Sequence, residues 1–242
     1  MQTHDFTITV VIPAFNEEKY LARCLQALQK QTYPKNKFDV LVVDNNSTDA
    51  TAAIAKKFAA TIVTEKKQGH VFSLNTGLKK ATGDILAVTD ADSIPSRDWL
   101  TTMANIFTDP RVVGVTGALT TDAKNKTVKK LFKNVHNSFQ ILHFSLNRPT
   151  FYGPNMAIRK EAFKKLKSVD TRYRIGGDAE IGMRLRKYGK VKYSKRLTVM
   201  TSARRFNENA NDFWKDMSKY MTAYVHAIWL QKPPKASLVP VR

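Results

Sequence analysis

The chain has 242 residues, of which 43% are hydrophobic and 25% are charged. This supplies a sizeable core for one large or two small domains, so we do not expect a disordered chain. The single cysteine, Cys24, excludes an internal disulfide framework, and its spacing from Tyr20 and Leu28 predicts a buried thiol on an apolar helix face.

The formal charge of +20 is carried almost entirely by the second half of the chain. Residues 1–120 hold 13 Lys/Arg and 12 Asp/Glu, whereas residues 121–242 hold 27 and 8. We therefore expect the second half to meet a polyanion, either lipid headgroups, a phosphorylated acceptor or nucleic acid, unless the charge is only a solvated surface. The sequence lacks the roughly 18 consecutive apolar residues that span a bilayer, and we expect a cytoplasmic protein.

Predicted strands and helices alternate through the first half. Strands are predicted over 7–12, 38–43, 61–64, from Ile85 and over 112–117, and helices over 20–28, 50–58, 69–80 and 96–107. We expect the first strand to stop at Pro13 and Asn16 to cap the first helix. The alternation predicts an α/β fold with a mostly parallel central sheet of Rossmann type, whose functional loops share one edge.

The second half is less regular. Residues 120–150 show poor periodicity, and a Gly-Pro-Asn turn at 153–155 then leads into a strand and a helix over 160–166. A glycine pair precedes a helix that we expect to begin with Asp178 as N-cap and to end at Gly189. An amphipathic helix is predicted over 209–230 from apolar residues at spacings of three and four. These residues are Phe213, Met217, Tyr220, Met221, Tyr224, Ile228 and Trp229.

Two carboxylates, Asp90 and Asp92, follow the buried strand that begins at Ile85. The carboxyl end of a strand is where ligands bind in open α/β sheets, and paired hard oxygen ligands suit Mg²⁺ or Mn²⁺ holding a diphosphate. The alternative is a plain turn made of Asp and Ser before Pro95.

The sequence contains neither a Gly-x-Gly-x-x-Gly after the first strand nor a P-loop, which disfavours dinucleotide dehydrogenases and P-loop enzymes.

Five motifs in order extend this hypothesis. They are VVIPAFNE at 10–17, VVDNNSTD at 42–49, the stretch 69–77, DAD at 90–92, and GDAE at 177–180 followed by RLRKYG at 184–189. This set resembles the family-2 glycosyltransferases of GT-A fold over about residues 6–206. The resemblance implies a single GT-A domain over 1–206, with a nucleotide-sugar-binding half at about 1–120 and an acceptor-binding half at 121–206. Residues 207–242 would form a C-terminal helix and basic tail.

The resemblance also implies an inverting, metal-dependent transfer from a nucleotide-diphospho-sugar to a sugar or lipid-linked acceptor. Asp178 would be the catalytic base, and Asp92 with Asp90 would hold Mn²⁺ or Mg²⁺. Asp44 would accept a hydrogen bond from the base of the nucleotide, which suits uracil and hence a UDP-sugar. Family members usually carry Glu-Asp where this chain has Gly177 and Asp178. The supporting role of that Glu would therefore be absent or be taken by Glu180. The nucleotide-sugar-binding residues would be Pro13, Ala14, Phe15, Asn16, Glu17, Asp44, Asn46, Lys67, Gly69, Asn75 and Asp90.

On the acceptor side, the resemblance implies that Gly153, Pro154 and Asn155 shape the pocket. Arg204 or Arg205 would help to neutralise the departing diphosphate. His70, His136, His143 and His226 stand in no obvious ligand position, and we expect them to be structural or exposed.

We further hypothesise that the predicted C-terminal helix and the basic half of the chain bind the inner face of an anionic membrane. A helix that packs against the core would show the same pattern of apolar residues.

Three other interpretations of the function stay open. One is a nucleotidyltransferase on a related fold, which would need a triphosphate loop after the first strand. Another is a basic nucleic-acid-binding protein without catalysis, but no binding module is recognisable and we expect no nucleic-acid partner. The last is a glycosyltransferase-like protein that has lost activity.

Overall fold

The computed structural model describes residues 6–205, 218 and 220–233. Eight strands form one sheet in the order β3-β2-β1-β4-β7-β6-β8-β5. The strands are β1 (Ile8–Ala14), β2 (Phe38–Asp44), β3 (Thr61–Thr64), β4 (Ile85–Val88), β5 (Ser93–Pro95), β6 (Val112–Thr121), β7 (Met156–Arg159) and β8 (Lys190–Thr201).

Helices cover both faces of this sheet, and short 3₁₀ turns lie at Lys35–Lys37, Gly153–Asn155 and Ala203–Arg205. The helices are α1 (Leu21–Gln29), α2 (Thr51–Lys57), α3 (His70–Lys80), α4 (Trp99–Phe107), α5 (Lys126–Ser145), α6 (Lys160–Leu166) and α7 (Gly177–Leu185). Two separate sets of buried apolar side chains fill the two faces.

The predicted mostly parallel α/β sheet is confirmed, and the parallel part is its first half. Strands β3, β2, β1 and β4 are neighbours that all run in the same direction. Strand β7 pairs antiparallel with β4 and with β6, while β6 and β8 are parallel. The carboxyl ends of β1, β2 and β4 therefore meet at one edge, which places the loops that follow them side by side.

Strand β1 does not stop at Pro13 as predicted but continues to Ala14, with Pro13 paired to Val43 of β2. The reason is that β4 pairs with β1 only as far as Val11. The Val11 carbonyl accepts from Thr89 on the β4 side, and position 13 points to that same side. Because no β4 residue stands opposite, the missing N–H of proline costs no sheet hydrogen bond.

The region of poor periodicity contains α5, the longest helix in the described part of the chain, which the sequence analysis did not predict. Asn125 caps it by accepting from the backbone N–H groups of Thr127 and Val128. Its buried face includes polar side chains, Gln140 and His143, while apolar side chains near its end are exposed. Because polar side chains are buried and apolar side chains are exposed in this helix, its sequence shows no clear helical periodicity.

Residues 220–225 are helical and continue into a π-helix at His226–Leu230. We call residues 220–230 the C-terminal segment. Its buried side chains are Ala223, Ala227 and Ile228. The predicted helix from 209 to 217, with Phe213 and Met217, and the tail beyond 233 lie outside the described residues. Within the part of the chain that is described, no helix is both long and apolar enough to cross a membrane.

Candidate active site

The loops after β1 and β2 are joined by the side chain of Asn16. This residue has a left-handed backbone (φ 54°), its N–H donates to Ser47 Oγ at 3.0 Å, and its Oδ1 accepts from the Thr48 N–H at 2.9 Å. The expectation that Asn16 caps α1 was therefore wrong, because α1 begins after Tyr20. Asn16 instead ties together the two loops in which nucleotide-binding residues were predicted.

Asp44 is the last residue of β2, and Asn45 follows it in a different environment. Asp44 is 8% exposed, and its Oδ1 accepts from the Ser47 N–H at 3.2 Å. Asn45, which the sequence did not single out, donates to the Glu65 and Lys67 carbonyls and accepts from the Gly69 N–H at 2.7 Å. Asn45 thereby holds the loop that leads into α3.

The remaining predicted nucleotide-sugar residues surround these loops. Pro13 and Ala14 are buried at the end of β1, Phe15 is half-buried, and Asn46 and Lys67 are exposed. Gly69 has φ of 132° at the start of α3, where a side chain would be strained. Asn75 lies farther along α3, and its Oδ1 accepts from the Val169 N–H at 3.0 Å, which is a structural contact.

Three polar side chains from distant parts of the chain converge on Gly153. A Cβ atom at Gly153 would lie 3.5 Å from Asp178 Oδ2, 3.9 Å from His70 Cε1 and 4.0 Å from Asp90 Oδ1. His70 Nε2 is 3.5 Å from Asp90 Oδ1. The histidine that we expected to be structural or exposed is thus half-exposed but placed beside a predicted site carboxylate.

Asp178 is the second residue of α7, not its N-cap, because the helix is preceded by Gly176 in the left-handed conformation. Its Oδ2 accepts from the Gly153 N–H at 2.7 Å and from the Tyr224 hydroxyl at 2.5 Å, and its Oδ1 accepts from the Ala179 N–H at 3.0 Å. Burial raises the pKa of Asp178, and these hydrogen bonds and His70 only partly oppose that shift. A carboxylate with a raised pKa is suited to accept a proton.

Asp92 is bound by Arg204, which also reaches Glu17. Arg204 Nε donates to Asp92 Oδ2 at 2.9 Å and Nη2 donates to Glu17 Oε1 at 2.5 Å. Burial lowers the pKa of Arg204, but its bonds to the two carboxylates outweigh this and raise the pKa overall. The arginine predicted near the diphosphate therefore lies against the predicted metal ligand, while the Arg205 side chain lies outside what the structure describes.

Asn155 was predicted to contact the acceptor, and the structure places its side chain in the core instead. It is fully buried, it accepts from Trp99 Nε1 at 2.9 Å, and it donates to the Ala118 and Leu197 carbonyls at 3.0 Å each. Both amide hydrogens are used, so Asn155 holds β6, β8 and α4 together.

Glu180 does not take a place beside Asp178. It forms an ion pair with Arg184, one turn farther along α7. Gly177 faces apolar groups, since a Cβ there would lie 3.4 Å from Val71 Cγ2 and 3.7 Å from Tyr173 Cβ. The supporting acid is therefore absent from this position.

A cavity of about 120 Å³ lies between α5, the 153–155 turn and the C-terminal segment. Aromatic and apolar side chains make most of its wall, and Asp90 lies at its polar part. The lining residues are Asp90, Leu119, Phe132, His136, Phe139, Tyr152, Pro154, Thr201, Ser202, Tyr220, Met221 and Tyr224. Asp44 is not among them. His136 is half-buried, and desolvation lowers its pKa to about 4.

Among the described residues, no three His, Cys, Asp or Glu side chains are grouped as a complete metal site. The donors at Asp90 and Asp92 nevertheless fit Mg²⁺ or Mn²⁺, because such ions are commonly held by one or two carboxylates with substrate phosphates and water completing the shell. One oxygen of Asp92 is already bonded to Arg204, so this guanidinium and a cation would share the carboxylate.

Comparison with known proteins agrees with this arrangement. The chain is 40% identical over 99 residues to Glycosyltransferase AglE of Haloferax volcanii, which is 38% of this chain and 33% of that protein. It is 31% identical over 134 residues to the dolichyl N-acetyl-alpha-D-glucosaminyl phosphate 3-beta-D-2,3-diacetamido-2,3-dideoxy-beta-D-glucuronosyltransferase of Methanococcus voltae, covering 50% of this chain and 42% of that protein. The chain thus spans less than half the length of these two relatives.

Solved structures share the fold. The mannosyltransferase PcManGT from Pyrobaculum calidifontis, solved with GDP-Man and Mn²⁺, matches with a TM-score of 0.73 at 22% identity, covering 96% of this chain and 66% of that one. S. aureus TarS 1-349 in complex with UDP-GlcNAc matches with a TM-score of 0.64 at 17% identity, covering 96% and 69%.

The sequence profile described as Glycosyl transferase family 2 matches residues 9–167, which include the loops after β1, β2 and β4 and the turn at Gly153. This match covers well over half of the chain, and the fold and the motif order agree with it. The chain belongs to glycosyl transferase family 2.

Proposed function

We propose that this chain is the catalytic domain of an inverting glycosyltransferase that moves a sugar from a nucleotide-diphospho-sugar to an acceptor hydroxyl. The observation that supports it most is the convergence of Asp178, His70 and Asp90 on Gly153, beside the carboxyl ends of parallel strands. A raised pKa at Asp178, a neighbouring cavity and an acid after β4 fit one site for proton removal and group transfer.

In this proposal Asp178 takes the proton of the acceptor hydroxyl as the oxygen attacks the anomeric carbon. The bond from that carbon to the diphosphate oxygen breaks on the opposite side, so the configuration inverts in one displacement. Gly153 supports this role because its N–H fixes Asp178 and the absence of a side chain leaves room between the three polar groups. Pro154 lines the cavity on the acceptor side.

Asp90 and Asp92 would hold Mn²⁺ or Mg²⁺ at the diphosphate. A bound cation of this kind supplies positive charge to the departing phosphate oxygens. Arg204 lies on Asp92 and would add a second, fixed positive charge there. Its ion pairs with Asp92 and Glu17 orient the guanidinium before substrate binds, so less reorganisation is needed during the reaction.

For the nucleotide we propose UDP, with Asp44 accepting from the uracil N–H. The likeness to PcManGT with GDP-Man and to TarS with UDP-GlcNAc leaves both bases open, and guanine also offers N–H donors. Thermal unfolding with UDP or GDP, each with and without Mn²⁺, tests this directly, because a ligand bound to the native state raises the melting temperature, and at equal concentration the ligand that binds more tightly raises it more. A larger rise with UDP plus Mn²⁺ supports the proposal, and a larger rise with GDP would replace it.

We further propose a lipid-linked acceptor and a peripheral membrane contact at the inner face of a cytoplasmic membrane. Large exposed hydrophobic side chains cluster at the end of α5 and on the C-terminal segment, where Trp229 Nε1 lies 3.3 Å from His143 Nε2. Lysines and arginines are abundant in this half of the chain, which favours anionic lipids. The exposed side chains are Ile141, Leu142, Leu146, Val225, Trp229 and Leu230.

Flotation with vesicles containing anionic lipid tests the membrane contact. We expect binding by the wild type and weaker binding by Leu142→Gln/Leu146→Gln, since both side chains are about half-exposed. Tyr188→Gln is the matched control, because Tyr188 is 40% exposed at a different place. Equal binding by all three proteins, or no binding by the folded wild type at moderate salt, would contradict the contact.

A further inference from the structure

The C-terminal segment contacts the proposed base through Tyr224. The Tyr224 hydroxyl donates to Asp178 Oδ2 at 2.5 Å, and the same oxygen accepts from the Gly153 N–H at 2.7 Å. Two donors therefore fix one oxygen of the carboxylate. The other oxygen, Oδ1, accepts from the Ala179 N–H at 3.0 Å. Since a carboxylate oxygen can accept two hydrogen bonds, Oδ1 retains capacity for a further donor such as an acceptor hydroxyl.

Close packing holds Tyr224 in this place. A Cβ at Gly176, two residues before Asp178, would lie 3.4 Å from the Ala223 carbonyl oxygen and 3.4 Å from Ala227 Cβ. Small residues on the C-terminal segment thus allow it to approach the start of α7. Arg148 Nη1 donates to the Ile228 carbonyl at 2.9 Å and fixes the end of the segment.

Aromatic contacts orient the Tyr224 ring as well. Its centroid lies 6.1 Å from that of Phe139 and 5.9 Å from that of Tyr152, both in edge-to-face arrangements. The ring forms part of the cavity wall, and about 120 Å³ remains open beside it.

We propose that Tyr224 is a positioning residue for the reaction: together with the Gly153 N–H it holds Asp178 Oδ2 and so fixes the orientation of the carboxylate that takes the acceptor proton. This inference rests on the proposed role of Asp178 as base. It assigns the C-terminal segment to the active site, although it lies beyond residues 9–167 that the family profile matches. A base oriented by a second hydrogen-bonded group is a recurring feature of activated hydroxyls.

The test removes one hydroxyl at a time from the same segment. Tyr224→Phe keeps the ring and its packing, and we expect kcat to fall about ten-fold, which is the effect of one hydrogen bond to a charged group. The KM for the sugar donor and the melting-temperature rise produced by UDP are expected to stay unchanged. Thr222→Val is the matched control, because the exposed Thr222 hydroxyl donates only to the Ser218 carbonyl in the described chain, and its kcat should equal that of the wild type.

Two further variants at position 224 separate the hydroxyl from the packing. Tyr224→Met removes the hydroxyl on a different side chain and should repeat the loss of kcat, whereas 3-fluorotyrosine keeps the hydroxyl and should retain most of the activity. An unchanged or increased kcat in Tyr224→Phe would overturn the proposal, and an increase would mean that Tyr224 competes with the acceptor. A fluorotyrosine variant as slow as Tyr224→Phe would also overturn it.

The test also distinguishes this inference from the proposed function. If Asp178→Asn is inactive while Tyr224→Phe matches the wild type, only the positioning role fails. If Asp178→Asn retains full turnover, the assignment of the base itself fails, and a loss in Tyr224→Phe would then need another cause.

Discussion

Arg204 donates from Nε to Asp92 Oδ2 at 2.9 Å, and its Nη2 lies 2.8 Å from the same oxygen. The Asp92 side chain is 2% exposed and that of Glu17, the other partner of Arg204, is 11% exposed. The guanidinium therefore neutralises two largely buried carboxylates that come from the loops after β1 and β4. The ion pairs have a structural role as well as the proposed role at the diphosphate.

Replacing Arg204 with Ala should destabilise the fold. The change leaves Asp92 and Glu17 without their shared cation, and breaking a buried ion pair by removing one partner costs about 3 kcal/mol or more. Urea unfolding measures the difference. Arg111→Ala is the control, because Arg111 pairs with Asp109 on the surface and such a pair contributes about 1 kcal/mol or less. Equal losses in the two variants would show that the Arg204 pairs are not buried in solution.

The raised pKa of Asp178 predicts how activity depends on pH. Only the ionised carboxylate accepts a proton, so kcat/KM should fall as the pH drops through a pKa above the ordinary 3.8. Measuring the acid side of the pH–rate profile tests this. An acid limb centred at or below 3.8 would contradict the effect of burial.

The same shift predicts an effect on stability. The pKa of Asp178 is higher in the folded protein than in the unfolded chain, so the ionised carboxylate lowers the free energy of unfolding at neutral pH. This loss of stability disappears once the pH falls below the pKa that Asp178 has in the unfolded chain. Asp178→Asn removes this pH-dependent cost but also loses an acceptor for the donors around Asp178. Its melting temperature relative to that of the wild type should therefore be higher at pH 7 than near pH 3. A difference between the two proteins that does not change with pH would contradict the prediction.

Gly153→Ala should impair the reaction while leaving the fold intact. The new methyl group would enter the space between Asp178, His70 and Asp90 at contact distances of 3.5 to 4.0 Å, without a severe clash. We expect an unfolding free energy within about 1 kcal/mol of the wild type. The catalytic efficiency toward the acceptor should fall about ten-fold or more through misplacement of the reacting groups. Steady-state kinetics with varied acceptor measure it.

Gly114→Ala is the comparison for this change. A Cβ there would lie 2.6 Å from Phe151 in the core, so stability should fall by roughly 1–3 kcal/mol. Its acceptor kinetics should change less than those of Gly153→Ala when both are measured well below their melting temperatures. The reverse order in kinetics would show that Gly153 does not border the reacting groups.

Asn155→Ala separates a structural role from acceptor binding. The truncation leaves the Trp99 N–H and the Ala118 and Leu197 carbonyls without their buried partner, and each unsatisfied group costs about 1–3 kcal/mol. We therefore expect a large drop in the free energy of urea unfolding. A variant that keeps its stability and loses only affinity for the acceptor would restore the original hypothesis of acceptor contact.

The sequence predicted the parallel strands that the candidate site residues follow. β1, β2 and β4 are short β-branched or apolar runs, and the acids after them were expected at one sheet edge because parallel strands align their carboxyl ends. The predicted helix over 160–166 agrees with α6, and the helix over 69–80 agrees with α3 to within one residue. Local pattern and topology rules were enough for these elements.

The rest depends on contacts between distant residues. His70 lies near Asp90 only because α3 begins beside the end of β4, and Tyr224 reaches Asp178 from 46 residues away. Asn155 stands in a motif that suggests a ligand, yet its fully buried environment assigns it to the core. The helix α5 was missed because buried Gln140 and His143 stand where apolar residues would mark the period, and exposed Leu142 and Leu146 stand where polar ones would.

The transfer rate of Asp178→Asn, measured as release of UDP in the presence of acceptor, tests the central claim most directly. Loss of a general base should lower kcat at least about 100-fold. Donor binding should persist, and we expect the thermal shift with UDP to match that of the wild type. A variant that turns over at more than about a tenth of the wild-type rate would contradict the role of Asp178 and with it the proposed mechanism.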